Sequence, residues 1–499
     1  MAVSPRPPMN VLHVNYADIA GGAEAVAWRL HEGYRRRGHR SRIAVARKRS
    51  RDRDVVLIAD RQERPLRLLP DGFSLPMPEP VARLLRGPRR LFSSLGMALT
   101  DPGRFRRRRR GEEDFDFPET WRLLELVEPR PDLLHLHNLH GNYFDLRALP
   151  QLSRRVPVFV TLHDPWLLSG HCAHSFDCDR WKIGCGQCPD LALFPRVSRD
   201  ATAFNWRRKA EIYARSRLYV ATPSRWLMRR VEESMLAPGI VESQVIPNAV
   251  DLGVFRPAPA EPIRRQLGVP PDAFVLLFTA QGARRNPFKD YATVCAAVAQ
   301  AAEQLPGRQV ILWVLGDAAP PERLGRAEAR FIPFQRRPED MARYYQAADV
   351  CLHGVLAEVW GLTVTEAMAC GLPVVGTAVG GVPEQIDDGV NGYCVPVRDS
   401  AAMAAAALRL LRDDKRRQAF GARAAAKARA LFGRERMEEA YLNWYGRALE
   451  VWAGTEPDLR PAEGAAAAGA CSAGAVAQTA APLEVDFPSE PDPDRRVVA

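Results

Sequence analysis

The stretch Ala357–Thr377, AEVWGLTVTEAMACGLPVVGT, decides how the chain is read. Glu358-Val-Trp-Gly361 has the composition of a loop. The residues after it predict a helix over 361–370 and an apolar strand over 373–377. A helix feeding a short apolar strand is the signature of a parallel α/β sheet. Two glutamates stand eight positions apart, Glu358 just outside the helix start and Glu366 inside it. A helix start carries unsatisfied N–H groups and partial positive charge, so it suits a phosphate. Carboxylates beside it accept hydrogen bonds from hydroxyls, so the stretch fits a polyhydroxylated, phosphorylated ligand. Taken alone, the pair is also what a helix-capping glutamate and an exposed mid-helix glutamate would give.

The same alternation extends upstream. Strands are predicted at 274–280, 309–315, near 329–332 and at 349–354, with helices at 290–303 and 338–347. An earlier series opens with a strand at 10–16, a turn at Ala20-Gly21-Gly22-Ala23-Glu24, a helix ending at Gly38 and a strand at 42–46. It continues through strands at 133–137, 156–162 and 217–222 and a helix from Ser224. A Pro-rich hinge is expected near 252–262. Two successive α/β sheets result, facing each other across a cleft, and in such sheets ligands sit outside the carboxyl ends of the strands. The expected domains are 1–255 and 256–435, followed by an amphipathic helix at 436–452 that returns to the N-terminal domain. Residues 453–499 hold few large apolar side chains and are expected to be disordered.

Several loops at strand ends carry chemistry. Gln281-Gly-Ala-Arg-Arg-Asn-Pro-Phe-Lys-Asp290 offers Arg284 or Arg285, with Lys289, to neutralise a polyanion. Gly21 and Gly22 allow close backbone approach at a helix start. His163 and Asp164 end a strand. Cys172, Cys178, Cys185 and Cys188, with His171 and His174 nearby, crowd four of the nine cysteines into seventeen residues. The Cys185-Gly-Gln-Cys188 pair has zinc-knuckle spacing, so a structural zinc is the leading expectation, with reduced thiols or a redox pair as alternatives. Asp-x-Asp strings at 114–116, 177–179 and 492–494 follow no clear strand of the α/β core, and no catalytic metal or other cofactor is expected from them.

The spacing Glu358-x7-Glu366, continued by Ala-Met-Ala-Cys-Gly-Leu-Pro-Val-Val-Gly-Thr377 and Gly380-Gly-Val-Pro-Glu-Gln-Ile386, resembles the donor-site signature of retaining GT-B glycosyltransferases of family 4. Ile246-Pro-Asn-Ala-Val-Asp251, Val314-Leu-Gly-Asp317 and Asp388-Gly-Val-Asn-Gly392 match further segments of that family. The likeness covers roughly residues 10–452, and the cysteine cluster resembles an insertion found in a polysaccharide-biosynthesis branch. It implies two Rossmann-like domains, an N-terminal acceptor domain and a C-terminal donor domain. Glu358 would contact the donor sugar, Glu366 the ribose, and the backbone at Trp360, Gly361, Leu362 and Thr363 the distal phosphate. Gly21 and Gly22 would line the same site, His163 would lie beside the sugar, and Arg284 and Lys289 would neutralise the leaving diphosphate. Arg284 fits the spacing better than Arg285, and Asp290 stands where glycine is commoner.

The expected activity is therefore sugar transfer from a nucleotide sugar to a saccharide or lipid-linked acceptor with retention, in cell-surface polysaccharide synthesis. A nucleotide-sugar epimerase or phosphorylase of the same fold, or a non-catalytic saccharide-binding scaffold, are the alternatives. The 499 residues exceed one ordinary core. No apolar run spans a membrane, and the N-terminus lacks a signal-peptide core, so a cytoplasmic location is expected. The net charge of +11 and the run Arg104–Arg110, inside an Arg/Pro-rich insertion expected at 50–117, fit either a solvated basic surface or an anionic membrane face. Without aromatic interleaving or a recognised binding motif, no nucleic-acid partner is expected.

Overall fold

The computed structural model describes residues 7–19, 21–58 and 101–454. Most of the Arg/Pro-rich insertion expected at 50–117, the tail expected to be disordered, and Asp492-Pro-Asp494 lie outside these residues.

The first sheet holds β1 (Asn10–Ala17), β2 (Arg40–Arg47), β3 (Val55–Leu57), β4 (Leu133–Leu136), β5 (Val158–Thr161), β6 (Leu218–Thr222) and β7 (Ile240–Val245). Its order is β3-β2-β1-β4-β5-β6-β7, and every pairing is parallel. The second holds β8 (Phe274–Thr279), β9 (Val310–Leu315), β10 (Glu322–Leu324), β11 (Ala327–Ile332), β12 (Val350–His353), β13 (Val374–Thr377) and β14 (Gly392–Val395). Its order is β10-β11-β9-β8-β12-β13-β14, antiparallel only between β10 and β11. This is the α/β, two-sheet arrangement expected of a GT-B fold. Strands covered on both faces read as unbroken apolar runs, and β9 (VILWVL) is buried throughout. Edge strands β3, β7, β10 and β14 escaped the sequence reading because they are short or carry polar residues; β7 is IVESQV, with Val241 exposed.

Each sheet reverses its order once, between β1 and β4 and between β8 and β12. Ligand crevices form at such switch points. The loops that open there carry Gly21-Gly22 after β1, residues 281–290 after β8 and Gly354–Gly361 after β12.

The chain crosses between the halves twice, and the crossings touch. Val250 bridges Gly433, with Val250 N–H donating to Phe432 O at 2.9 Å and Arg434 N–H to Val250 O at 3.1 Å. The crossing therefore lies just before the expected hinge. The last helix, Arg434–Gly454, begins and ends two residues beyond the expected bounds and lies on the first sheet. Trp444 meets Phe159 at 4.9 Å between ring centroids, and Tyr445 meets Phe159 at 4.6 Å.

Arg104 departs from the expected basic surface. In the helix Pro102–Arg109 it is buried, paired with Asp114 and lying 4.9 Å over the Phe117 ring, while Arg106–Arg110 are exposed. No helix among the described residues is long and apolar enough to cross a membrane.

Candidate active site

The loop after β8 is held in place by backbone contacts that reach the loop after β12. Asp290 N–H donates to Gly354 O at 3.0 Å, Leu356 N–H to Phe288 O at 2.9 Å, and Lys289 bridges Val355. Asp290 caps the helix Tyr291–Glu303, its side chain accepting from Thr293 N–H, which accounts for an aspartate at that place. The register brings Lys289 Nζ to 2.8 Å from Glu358 Oε2. His353 Nε2 stands 3.8 Å from the same oxygen, and its Nδ1 is 3.3 Å from Thr363 Oγ1. Burial opposes charge on Glu358, but Lys289 outweighs it and holds its carboxyl below the ordinary value. Burial drives His353 down to about 3, so it is neutral.

Gly380 and Gly381 clasp the Glu358 backbone. Gly380 has φ +57, and a Cβ there would lie 1.7 Å from Glu358 O. A Cβ on Gly381 would lie 2.2 Å from Val359 O. Only glycines fit this turn, which fixes the Glu358–Val359 backbone just ahead of the helix Leu362–Ala369. Gln385 fastens the helix start: Gly361 N–H donates to its Oε1 at 3.0 Å, and its Nε2 donates to Gly361 O at 2.9 Å. The next N–H groups, at Leu362 and Thr363, have no partner within the helix by construction. The Trp360 indole points the other way, into the core against Phe432 at 5.2 Å.

The opposite wall comes close. A Cβ on Gly22 would lie 3.8 Å from Leu362 Cδ1. Arg29, on the helix Gly22–Arg36, reaches across to Glu366 Oε1 at 3.7 Å. Glu366 is not the exposed mid-helix residue of the simpler reading. It is 5% exposed and accepts from Tyr345 Oη at 3.1 Å. Burial pushes its carboxyl up to about 7 although Arg29 pulls it down. Glu384 of the C-terminal half caps the helix Arg225–Glu232, accepting from Arg225 and Trp226 N–H at 2.8 Å each.

His163 belongs to a buried chain of imidazoles on the N-terminal wall. His163 Nε2 is 3.0 Å from His137 Nδ1, and His137 Nε2 is 3.2 Å from His13 Nδ1. His135 lies alongside, bonded to Thr161 Oγ1 at 2.7 Å and to Tyr445 Oη at 2.6 Å. Burial lowers all four, His163 to about 4 and His13 to about 3, so these four rings are neutral, while His140, held up by Asp164 at 2.8 Å, stands beside them. His13, His135 and His137 bring ligand atoms within 4.8 Å of one another. Both nitrogens of His135 and of His137 are already hydrogen-bonded, and that leaves only His13 Nε2 without a partner.

The predicted residues thus fall into three places. Lys289, Glu358 and the 361–363 helix start converge, with Gly22 facing them and Gly21 adjoining. Glu366 and His163 sit on flanking walls. Arg284 turns away, bound to Asp317 at 3.3 Å and Glu322 at 3.5 Å and lying 4.8 Å over Phe331. Arg29, His353, Tyr345 and the histidine chain escaped the sequence reading. Only the alternating His135 and His137 in one strand gave a visible signal.

A model of Glycosyltransferase Family 4 matches residues 20–254, and one of glycosyl transferases group 1 matches residues 273–413. The chain belongs to glycosyltransferase family 4. The D-inositol 3-phosphate glycosyltransferase of Actinosynnema mirum is 36% identical over 223 residues, 42% of this chain and 52% of that protein. Its Mycobacterium marinum counterpart is 38% identical over 217 residues, 41% of this chain and 45% of that protein. The chain spans about half the length of the curated relatives it matches. Among solved structures, Anabaena HepE in complex with UDP and glucose aligns with TM-score 0.58 and 19% identity over 88% of this chain and 99% of that one. Sucrose-phosphate synthase of Thermosynechococcus elongatus aligns with TM-score 0.56 and 18% identity, over 90% and 100%. At these identities the likeness shows that the chain has the GT-B fold.

Proposed function

We propose that the chain moves a sugar from a nucleoside diphosphate sugar, held by the C-terminal half, to a saccharide or lipid-linked acceptor on the N-terminal wall, with retention of anomeric configuration. The observation that carries this reading is the Lys289–Glu358 pair at the open start of the helix Leu362–Ala369, facing Gly22 across the cleft. A diphosphate leaves as a polyanion, and a fixed cation beside free helix N–H groups stabilises that growing charge. Ligand phosphate would draw Lys289 from Glu358 and free the carboxylate for the sugar hydroxyls. Glu366 would take the ribose hydroxyls. The neutral, hydrogen-bonded His163 suits orientation of the sugar better than proton abstraction. This favours a front-face route in which the leaving phosphate takes the acceptor proton, without a catalytic metal.

The complex of Anabaena HepE with UDP makes uridine the first nucleotide to test. The exposed Arg106–Arg110 fit an anionic membrane face and an acceptor made there, as in cell-surface polysaccharide synthesis at the cytoplasmic side. The test is thermal stabilisation against a panel of nucleotide sugars. The correct donor at 100 times its Kd is expected to add about 2.7 kcal/mol. Product analysis with that donor then reads the anomeric configuration. Inversion, dependence on free phosphate or turnover without acceptor would overturn the proposal.

A further inference from the structure

Between β5 and the helix Thr202–Tyr213 the chain runs through forty residues whose regular structure is confined to short 3-10 turns. Four of the chain's nine cysteines lie here. Cys172, Cys178, Cys185 and Cys188, together with His171, line one pocket. All four are free thiols.

The surroundings of the pocket are organised around the sulfurs. Gly170 N–H donates to Cys185 Sγ at 3.3 Å. His171 is 2% exposed, with Nδ1 3.1 Å from Pro195 O. That carbonyl can only accept, so Nδ1 carries the proton and Nε2 presents a lone pair, 3.3 Å from Cys188 Sγ. An imidazole whose outer N–H is anchored on a backbone carbonyl is the arrangement found around bound metals. The turn from Gly184 to Gln187 is left-handed throughout, with Cys185 at φ +55 and Gln187 at φ +46. Non-glycine residues persist in that region only where the surroundings impose it. Here Asp200 and Thr202 do so, taking Cys188 N–H at 2.7 Å and Gly186 N–H at 2.9 Å.

We propose that Cys172, Cys178, Cys185 and Cys188 form a structural zinc site, with His171 holding the Cys188 sulfur in position. Four thiolates at tetrahedral corners suit zinc, with Zn–S near 2.3 Å and sulfurs roughly 3.8 Å apart. Among the described residues, three ligand atoms within 4.8 Å of one another occur at His13, His135 and His137. The thiols stand wider, so loading draws the Gly184–Gln187 turn and Cys178 inward. Four thiol protons leave to solvent on binding.

The site clamps a loop that reaches the donor side. Between Cys172 and Cys178, His174 and Phe176 pack on Phe288 at 5.2 and 6.2 Å. Phe288 precedes Lys289. The metal thus holds the contact between the N-terminal wall and the loop that carries the phosphate-binding lysine.

The full chain, made without a metal-binding tag and with zinc in the medium, is assayed for metals and for native thiol reactivity. Expected are one zinc per chain and thiols at these four positions that a thiol reagent reaches only after chelation. Cys185→Ser with Cys188→Ser should release the zinc, and His171→Ala should weaken it about 10–100-fold. His13→Ala with His137→Ala should keep it. Cobalt substitution of the unmutated chain should give thiolate-to-metal charge-transfer absorption, a readout that survives if the serine variants fail to fold. Absence of zinc, iron in its place, zinc retained in the serine variant, or a cobalt spectrum without thiolate bands would each overturn the proposal. The metal readouts stand apart from the transferase reading. Only a rise in donor KM on chelation rests on it.

Discussion

On the C-terminal wall of the cleft Glu358 is kept ionised by Lys289 at 2.8 Å, whereas on the N-terminal wall His13, His135, His137 and His163 are all driven neutral. Burial acts on both walls. What differs is company: on the C-terminal wall Lys289 faces Glu358, whereas the imidazole chain of the N-terminal wall sets neutral rings against each other and against the phenol of Tyr445, with the charged His140–Asp164 pair and Arg29 standing beside it. A fixed cation at a helix start suits a ligand whose charge changes during reaction, and a chain of neutral imidazoles suits one positioned by hydrogen bonds.

Removing the cation is expected to have the largest effect. Lys289→Ala should lower transfer about 10²–10³-fold, mostly in kcat, as loss of one preorganised charge stabiliser does. Initial rates at saturating donor check this, and an unchanged kcat would erase the distinction between the walls. Next is the clasp under the pair. Gly380→Ala forces an alanine to φ +57 against Glu358 O and should cost roughly 2–4 kcal/mol of stability, read by denaturant unfolding. The smallest effect belongs to Glu366, whose carboxyl sits at about 7, well above an ordinary glutamate. A raised acid stabilises the fold below its unfolded value and loses that contribution as pH rises through about 7. The ligand-free protein should therefore soften from this group between pH 5 and 8. Donor affinity should rise over the same range as the carboxylate forms, up to about tenfold per pH unit below 7. Glu366→Gln should flatten both slopes. A pH-independent donor affinity would exclude the ribose role.

The sheets were legible because strands buried on both faces are apolar without interruption, as in VILWVL at 310–315 and VVGT at 374–377. The C-terminal site was legible for a different reason: Glu358, Glu366 and Gly380-Gly381 fall in one stretch that matches a family signature, and the same resemblance placed Lys289, 69 residues upstream of Glu358. The N-terminal wall was not. His13, His137 and His163 sit 124 and 26 residues apart along the chain and meet only through strand order. Arg29 and Glu366 are joined only by closure of the two halves. The Arg104–Arg110 run misled because composition cannot tell a buried arginine on Asp114 from its exposed neighbours.

The last helix has a consequence for how the protein is made. Met9, Val11, Val26, Leu30 and Phe159 share one apolar cluster with Met437, Tyr441, Trp444 and Tyr445. The first sheet therefore lacks its cover until the chain has been synthesised past residue 445. Between residues 250 and 434 the ribosome delivers the C-terminal half, which carries its own apolar clusters. At 5–20 residues per second this interval lasts on the order of 10–40 s. The half translated first is thus completed last, and during that interval it presents an apolar face that a chaperone would recognise.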